Sequence, residues 1–156
     1  MEPIPRVSAR VLPVCPGGEV LLLQDQDPAF PGVLRWGTIG GAVDPGETHE
    51  EAVVREMREE TGLVVDSALL TAPVLRSTHD FTWGGTLYRS DSTFFAMPLG
   101  RDVEVSFDHL EDDEVGNVFA WRWWRPDDLA GAGGMVADEL PEIMAAAISA
   151  VLGADR

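Results

Sequence analysis

The chain contains no lysine, so its 11 basic residues are all arginine, set against 27 acidic residues for a formal net charge of −16. That sign excludes a nonspecific nucleic-acid coat, which needs a positive surface to displace counterions from phosphates. The missing lysine has an ordinary origin, a GC-rich genome favouring Arg, Ala, Gly and Asp codons, and carries no functional message. A single cysteine, Cys15, excludes an internal disulfide. At a predicted strand end it is expected to be buried and inert. Long apolar runs are also missing, since the stretch from Val20 to Leu23 and the alanine-rich tract near Ala145 fall far short of a bilayer span of roughly 18 residues. The first residues carry neither the basic region nor the apolar stretch of a signal peptide, and a cytoplasmic location is expected. Neither a G-x-G-x-x-G fingerprint nor a lysine-bearing phosphate loop is present.

What remains is enough for a folded core. Hydrophobic residues make up 45% of 156 residues, and that length fits a single domain over residues 1–156. Residues 6–14 and 19–26 are short apolar, β-branched or leucine-rich runs separated by Pro16-Gly17-Gly18, which predicts a hairpin. A loop rich in proline follows over 27–32, then a short strand over 34–39. Strands are expected again over 63–76, 86–97 and 118–124. A short helix is expected from Pro126 to Leu129, a flexible break over 131–134, and a C-terminal helix over 140–152 facing the core through Ile143, Ala147 and Val151. Strands, helix, strands, helix in that order suggest an α+β or layered α/β/α domain with a mixed sheet.

The central helix carries the chemistry. Residues 48–61 lack proline and glycine, Thr48 and Glu51 have capping-box spacing, and Gly62 supplies the stop. At 100° per residue Glu56, Glu59 and Glu60 share one face, while Val53, Val54 and Met57 take the neighbouring face for the core. Like charges at that spacing repel, and a bound hard cation reverses the sign, because Mg²⁺ and Ca²⁺ take oxygen ligands. A solvated glutamate face partnered by Arg55 and Arg58 is the ordinary alternative for an isolated E-x-x-E-E.

The wider string is more specific. Gly41, Glu47 and the run Arg55-Glu56-Met57-Arg58-Glu59-Glu60-Thr61-Gly62-Leu63 resemble the signature of the Nudix hydrolases, G-x5-E-x7-R-E-U-x-E-E-x-G-U with U bulky and aliphatic. All nine specified positions match once Met57 is accepted as U, over 23 residues. Weaker likeness extends to the flanking strands and to the segment from Trp123 to Leu129. The resemblance implies a MutT-like, Nudix-type α/β/α sandwich with a mixed central β-sheet. It implies an enzyme that uses Mg²⁺, or Mn²⁺, to cleave a nucleoside diphosphate linked to a group X by water attack on phosphorus. By position, Glu56, Glu59 and Glu60 look like metal ligands, with the Gly41 carbonyl a further one. Arg55 looks like the residue that orients a glutamate, and Glu47 like a brace of the loop.

The general base is placed variously in that family. Residues 102–114 hold seven acids and no arginine; Glu114 is the first candidate for a base or extra ligand, then Asp113 and Glu111, with a solvated acidic loop as the alternative. Where many members read Pro-Gly-Gly, this chain reads Ile39-Gly40-Gly41, which drops a fixed φ but keeps both glycines. Arg10 and Arg35 are candidates for substrate phosphate, or ordinary surface charge. Trp36, with Trp83 and Trp121, is either packing or a base-stacking platform. His49, His79 and His109 have no metal-ligand spacing.

Marks that sort substrates in the family point nowhere decisive. Pro73 comes too early for the ADP-ribose group, and His79-Asp80-Phe81 stand where the dinucleoside polyphosphate group has a tyrosine. A small nucleotide or nucleotide derivative is the expected partner, a nucleoside triphosphate or nucleotide sugar above others, for a monomer or homodimer that binds no membrane. A silent nucleotide-sensing module would be expected to lose a signature glutamate, and none is lost. An acidic calcium-buffering protein would not need Gly41, Arg55 and Gly62 at these spacings.

Overall fold

Alternation along the first strand decides the architecture. In the computed structural model, which describes residues 2–131 and 135–153 (only the backbone at 135 and 136), β1 spans Ile4–Val14 and β2 spans Val20–Gln26. Ala9 and Val11 of β1, with Leu21 and Leu23 of β2, point into one apolar cluster. Leu12, Val14, Val20 and Leu22 point into another. Successive side chains in a strand face opposite ways, so strands apolar at both parities must be covered on both faces.

Two helices provide the cover. Helix α1 (His49–Thr61) buries Ala52, Val53 and Met57 against the first cluster, and α2 (Leu140–Leu152) buries Leu140, Ile143, Met144 and Ala147 against the second. The i, i+3, i+4, i+7 spacing on α2 is one helical face. Ile143 and Ala147 thus face the core as expected, with Val151 partly buried beside them. On α1, Ala52 rather than Val54 completes the buried stripe, and Val54 is half-buried at its margin.

The start of α1 is set as the sequence predicts. The Thr48 hydroxyl accepts from the Glu51 N–H at 3.0 Å and the Glu51 carboxylate accepts from the Thr48 N–H at 2.9 Å, a reciprocal cap worth about 1 kcal/mol. Gly62 ends the helix at φ 75°, where its N–H reaches the Arg58 carbonyl.

The remaining strands are β3 (Leu34–Gly37), β4 (Ile39–Ala42), β5 (Leu75–Trp83), β6 (Thr86–Pro98), β7 (Val118–Trp124) and the two-residue β8 (Met135–Val136). Strand β1 runs parallel to β6 from Ile4↔Tyr88 to Val14↔Pro98, and antiparallel to β4. Strand β2 pairs with β3 and β7, β3 with β8, and β5 with β6. Strands β1 and β2 meet only at Val14↔Val20, so the mixed sheet curls into two wings there. This is the expected α+β architecture, helices on both faces of a mixed sheet.

Two expectations need correction. The single strand over 34–39 is two strands, because Gly37 pairs with Leu23 in one wing and Ile39 with Val11 in the other. The strand over 63–76 is a loop with a 3₁₀ turn at Ser67–Leu69. There the Asp66 carboxylate accepts the Ala68 N–H and competes with extended structure, and β5 begins only after Pro73. A 3₁₀ helix covers Pro126–Gly131, and the rest of the break expected over 131–134 lies outside the described residues. No helix among the described residues is long and apolar enough to cross a membrane.

Met57 is fully buried between α1 and the sheet. Replacing it with aspartate is expected to cost more than about 4 kcal/mol, because it places an unpaired carboxylate in an apolar cluster. Thermal melting checks this against Arg58→Ala on the exposed side of the helix; a soluble Met57→Asp protein with an unchanged Tm would refute the facing of α1.

Candidate active site

Helix α1 delivers its glutamates to the glycine pair of β4. Glu60 is buried and its Oε1 accepts the Gly40 N–H at 2.9 Å. A methyl group on Gly41 would lie 2.7 Å from Glu56 Oε1, and one on Gly40 would lie 2.4 Å from the Ala9 carbonyl oxygen. Gly40 also has φ 147°, which side chains rarely adopt. Side-chain-free backbone is therefore what lets two carboxylates approach the sheet.

Arg55 organises the acids. Its Nε donates to Glu47 Oε2 at 2.8 Å and its Nη2 to Glu47 Oε1 at 3.0 Å and to the Ala42 carbonyl at 2.9 Å. Its Nη1 donates to Glu56 Oε1 at 2.9 Å and Glu59 Oε2 at 3.1 Å, and Asp44 stands 3.3 Å from Nε. Glu47 in turn accepts the Asp44 N–H at 2.8 Å, which closes the turn before α1. Arg58 is exposed and forms no ion pair among the described residues.

One guanidinium cannot neutralise this much acid in so little water. Hydrogen bonding to Arg55 holds the Glu47 carboxyl below its usual pKa despite burial, and those same bonds push Arg55 higher still. The helix glutamates go the other way. Burial and then the Glu56 charge raise Glu59 to about 7 and push Glu60 well up, and burial raises Glu56 against the pull of Arg55. Glu114 is raised to about 7 by burial and then by Glu56. Ionising these groups carries a cost that a bound cation would remove.

The acids form one pole of a cleft of about 660 Å³. Gly41, Arg55, Glu56, Glu60 and Glu114 line it, as do Arg10, Arg35 and Trp36, so the residues singled out from the sequence are brought together. Glu59 is the exception, since its carboxylate turns to Arg55 and does not line the cleft. Glu111 and Asp113 line it too, so the acidic segment is a wall of the cleft as well as a solvated loop. Arg10 donates to the Thr38 carbonyl at 2.9 Å, and Arg35 pairs with Asp25 at 2.9 Å beneath the Trp83 ring. Trp36 is buried edge-on to Trp124, whereas Trp121 lies outside the cleft, 37% exposed. Cys15 is buried as expected.

Sequence reasoning passed over four contributors. Arg6, His79 and Phe81 line the cleft; the signal was period two, since Arg6 and Arg10 share a parity on β1. Asp27 acts from behind. Its buried carboxylate accepts the Ala29 N–H at 2.9 Å, the Gly84 N–H at 2.7 Å and the Thr82 hydroxyl at 3.4 Å, and so ties the loop after β2 to the β5–β6 turn beside Trp83.

The donors present suit a hard divalent cation: Glu56, Glu59, Glu60 and Glu114 are all oxygen ligands, crowded beyond what Arg55 balances. Among the described residues no three acidic, histidine or cysteine side chains converge in metal-holding geometry. Arg55 and the Gly40 N–H hold the carboxylates apart, and a cation would have to draw them off those partners.

The NUDIX domain model matches residues 4–146, and the chain belongs to that family. An RNA pyrophosphohydrolase of Erythrobacter litoralis is 34% identical over 60% of this chain and 61% of its own length. The nucleoside triphosphatase NudI of Escherichia coli is 31% identical over 74% of this chain and 82% of its own. The chain spans about 60% or less of the length of several other curated relatives it matches. The crystal structure of a MutT protein from Methanosarcina mazei superposes with a TM-score of 0.64, at 21% identity over 93% of this chain and 94% of that one, a likeness of fold.

Asp27 yields a pH test. Burial raises its carboxyl, but the two N–H donors, Thr82 and Arg35 more than offset this and leave it below the ordinary value. A depressed folded pKa contributes stability above the unfolded value of about 4, lost as pH falls through the folded pKa. Asp27→Asn is therefore expected to destabilise by about 1–2 kcal/mol at pH 5–7, and the gap should narrow below about pH 4. Urea unfolding across pH measures it; a gap that widens in acid would refute the assignment.

Proposed function

We propose that this protein is a Mg²⁺-dependent hydrolase that cleaves a phosphoanhydride bond in a nucleoside diphosphate linked to X, with a nucleoside triphosphate or nucleotide sugar as substrate. The observation that carries the reading is the signature glutamates Glu56 and Glu60 set beside Gly40-Gly41 at one pole of a cleft, with Glu47 and Glu59 joined to them through Arg55, and arginine and aromatic side chains at the other pole. The pyrophosphohydrolase and triphosphatase names of the two bacterial relatives agree with it.

In this reading Glu56, Glu59, Glu60 and the Gly41 carbonyl would hold the metal, Mg²⁺ or Mn²⁺. When bound, the cation would supply neutralisation of phosphate charge and lower the pKa of the attacking water. Arg55 orients Glu56 and Glu59, and Glu47 fixes Arg55 from the loop side. Water oxygen bonds to phosphorus, the bridging P–O bond breaks, and the bridging oxygen leaves with its electron pair. The water proton passes to a carboxylate, for which Glu114 is suited by its place in the cleft wall and a pKa raised to about 7. Arg10 and Arg35 contact substrate phosphate, and Trp36 bounds the nucleoside.

A phosphate-release screen over nucleoside triphosphates, nucleotide sugars, ADP-ribose and dinucleoside polyphosphates, in Mg²⁺, Mn²⁺ and EDTA, tests the proposal. Metal-dependent turnover of one class above about 10⁴ M⁻¹s⁻¹ in kcat/KM is expected. Metal-bound, folded protein that turns over none of them would favour a nucleotide-sensing module. Glu59→Gln and Glu60→Gln should each lower kcat by on the order of 100-fold or more with the fold intact. Near-wild-type turnover in saturating Mg²⁺ would show the ligand assignment to be wrong.

A further inference from the structure

The floor of the cleft is a polar face inside a protein that has little reason to bury one. Strand pairing places four rows across β5, β6 and β1: Phe81–Tyr88–Ile4, His79–Ser90–Arg6, Ser77–Ser92–Ser8 and Leu75–Phe94–Arg10. Residues directly opposite one another in a sheet share a face. This is the face on which Leu12 and Val14 meet α2, continued past the reach of the helix. The hydroxyls of Ser8, Ser90 and Ser92 are buried and satisfy one another at 2.6–3.1 Å. Three other buried polar atoms, on residues that line the cleft, have no partner among the described residues: Arg6 Nε, His79 Nδ1 and Trp36 Nε1.

Arg6 is the costliest of these. Its guanidinium lies 5.3 Å from the Phe81 ring centre and 5.7 Å from that of Tyr88, and those two rings stack on each other. It forms neither a hydrogen bond nor an ion pair among the described residues. Burial and then the nearby Arg10 charge disfavour its protonated form. Arginine stays charged in proteins, and although Glu56 and Asp113 attract it across the cleft, no carboxylate among the described residues forms an ion pair with Arg6. Every other arginine near the cleft is answered: Arg35 by Asp25, Arg55 by its glutamates and Arg10 by the Thr38 carbonyl. Contact with the Phe81 and Tyr88 rings holds Arg6 in the lining of the cleft, and a guanidinium placed there is chemically suited to a phosphate oxygen pair.

We infer that Arg6 is the anion-binding residue of a subsite distinct from the carboxylate pole, and that the group X carried by the substrate is itself anionic, the terminal phosphate of a nucleoside triphosphate rather than a neutral sugar. Such a substrate would be held at two places: one phosphate at the metal that the glutamates would hold, the free terminal phosphate at Arg6. A neutral sugar on this floor would leave the half-buried Arg6 unpaired, which is what discriminates against it. The assignment rests on the hydrolase reading and deepens it.

Two measurements separate failure of the subsite from failure of the hydrolase reading. The first is calorimetric binding of inorganic tripolyphosphate in EDTA, which needs neither metal nor turnover. Binding to the wild type is expected to weaken about 10- to 100-fold in Arg6→Gln and less in Arg6→Lys, which keeps the charge but not the fork. Arg76→Gln, at an exposed site away from the cleft, controls for net charge. The second compares matched pairs, ATP with ADP-ribose and GTP with GDP-mannose. Wild-type kcat/KM should favour the triphosphate, and folded Arg6→Gln should lose about 10- to 100-fold of that preference through KM rather than kcat. Undiminished tripolyphosphate binding by Arg6→Gln, equal weakening by Arg76→Gln, or a substrate preference indifferent to Arg6 would each overturn the inference. If Arg6→Gln does not fold, the Arg6→Lys comparison decides on the same criteria.

Discussion

The site depends on one cation surrounded by acid. Arg55 reaches two oxygens of Glu47, one each of Glu56 and Glu59, and the Ala42 carbonyl, and so ties β4, the turn after it and two turns of α1 into one unit. An arginine serves here because its planar fork satisfies several acceptors at once, as a lysine ammonium would not. The pairing is lopsided by design of the sequence: one positive charge against Glu47, Glu56, Glu59 and Asp44, with Glu60 buried behind them. Glu47 takes the best of the guanidinium and stays ionised easily. The helix glutamates share what is left, and burial followed by repulsion from Glu56 holds the Glu59 and Glu60 carboxyls above the usual range.

A second constraint is that β1 serves two wings of the sheet. Its C-terminal half is apolar at both parities and feeds both cores, while Arg6, Ser8 and Arg10 make the N-terminal half polar on one side. The change of character occurs where α2 stops covering the face, so the end of the core and the beginning of the cleft are the same event. Beside it Gly40 and Gly41 thin the neighbouring strand to bare backbone. The acids of α1, on one side of the sheet, and the arginines of β1, on the other, thereby open into a common space.

Much of this was legible in the residues. Thr48, Glu51 and Gly62 delimit α1 by local hydrogen bonding, and the Glu56, Glu59, Glu60 face follows from helical period alone. Strands β1, β2, β6 and β7 and helix α2 were visible because both their faces or one clean stripe are apolar. Tertiary pairing decided what was missed. Nothing local distinguishes one strand over 34–39 from two short strands recruited by different partners. Pro73 and Asp66 were outweighed by the apolar residues around them. In the site, Arg10, Arg35 and Trp36 were candidates, but Arg6 and His79 gained meaning only from the register that sets them in one row. Asp27 looked like part of a proline-rich loop, and its ties to Thr82 and Gly84 span more than fifty residues.

The two poles of the cleft differ in rigidity, and this assigns them different work. Arg6, His79, Ser90 and Phe81 stand on paired strands, where the ladder fixes backbone and stacking fixes side chains. Such a surface recognises by fixed placement, and its cost of ordering is met on folding. The carboxylates sit on a rigid helix but are bound to exchangeable partners, Arg55 and a backbone N–H, and Glu111, Asp113 and Glu114 lie on a loop. That pole can rearrange around a cation without disturbing the core, because Ala52, Val53 and Met57 hold the helix from its other side. In the proposed reading, selection of the substrate would belong to the sheet and its chemistry to the helix. The strong net negative charge of the chain is compatible with a polyanionic ligand because the few arginines that face it are gathered where the sheet holds them still.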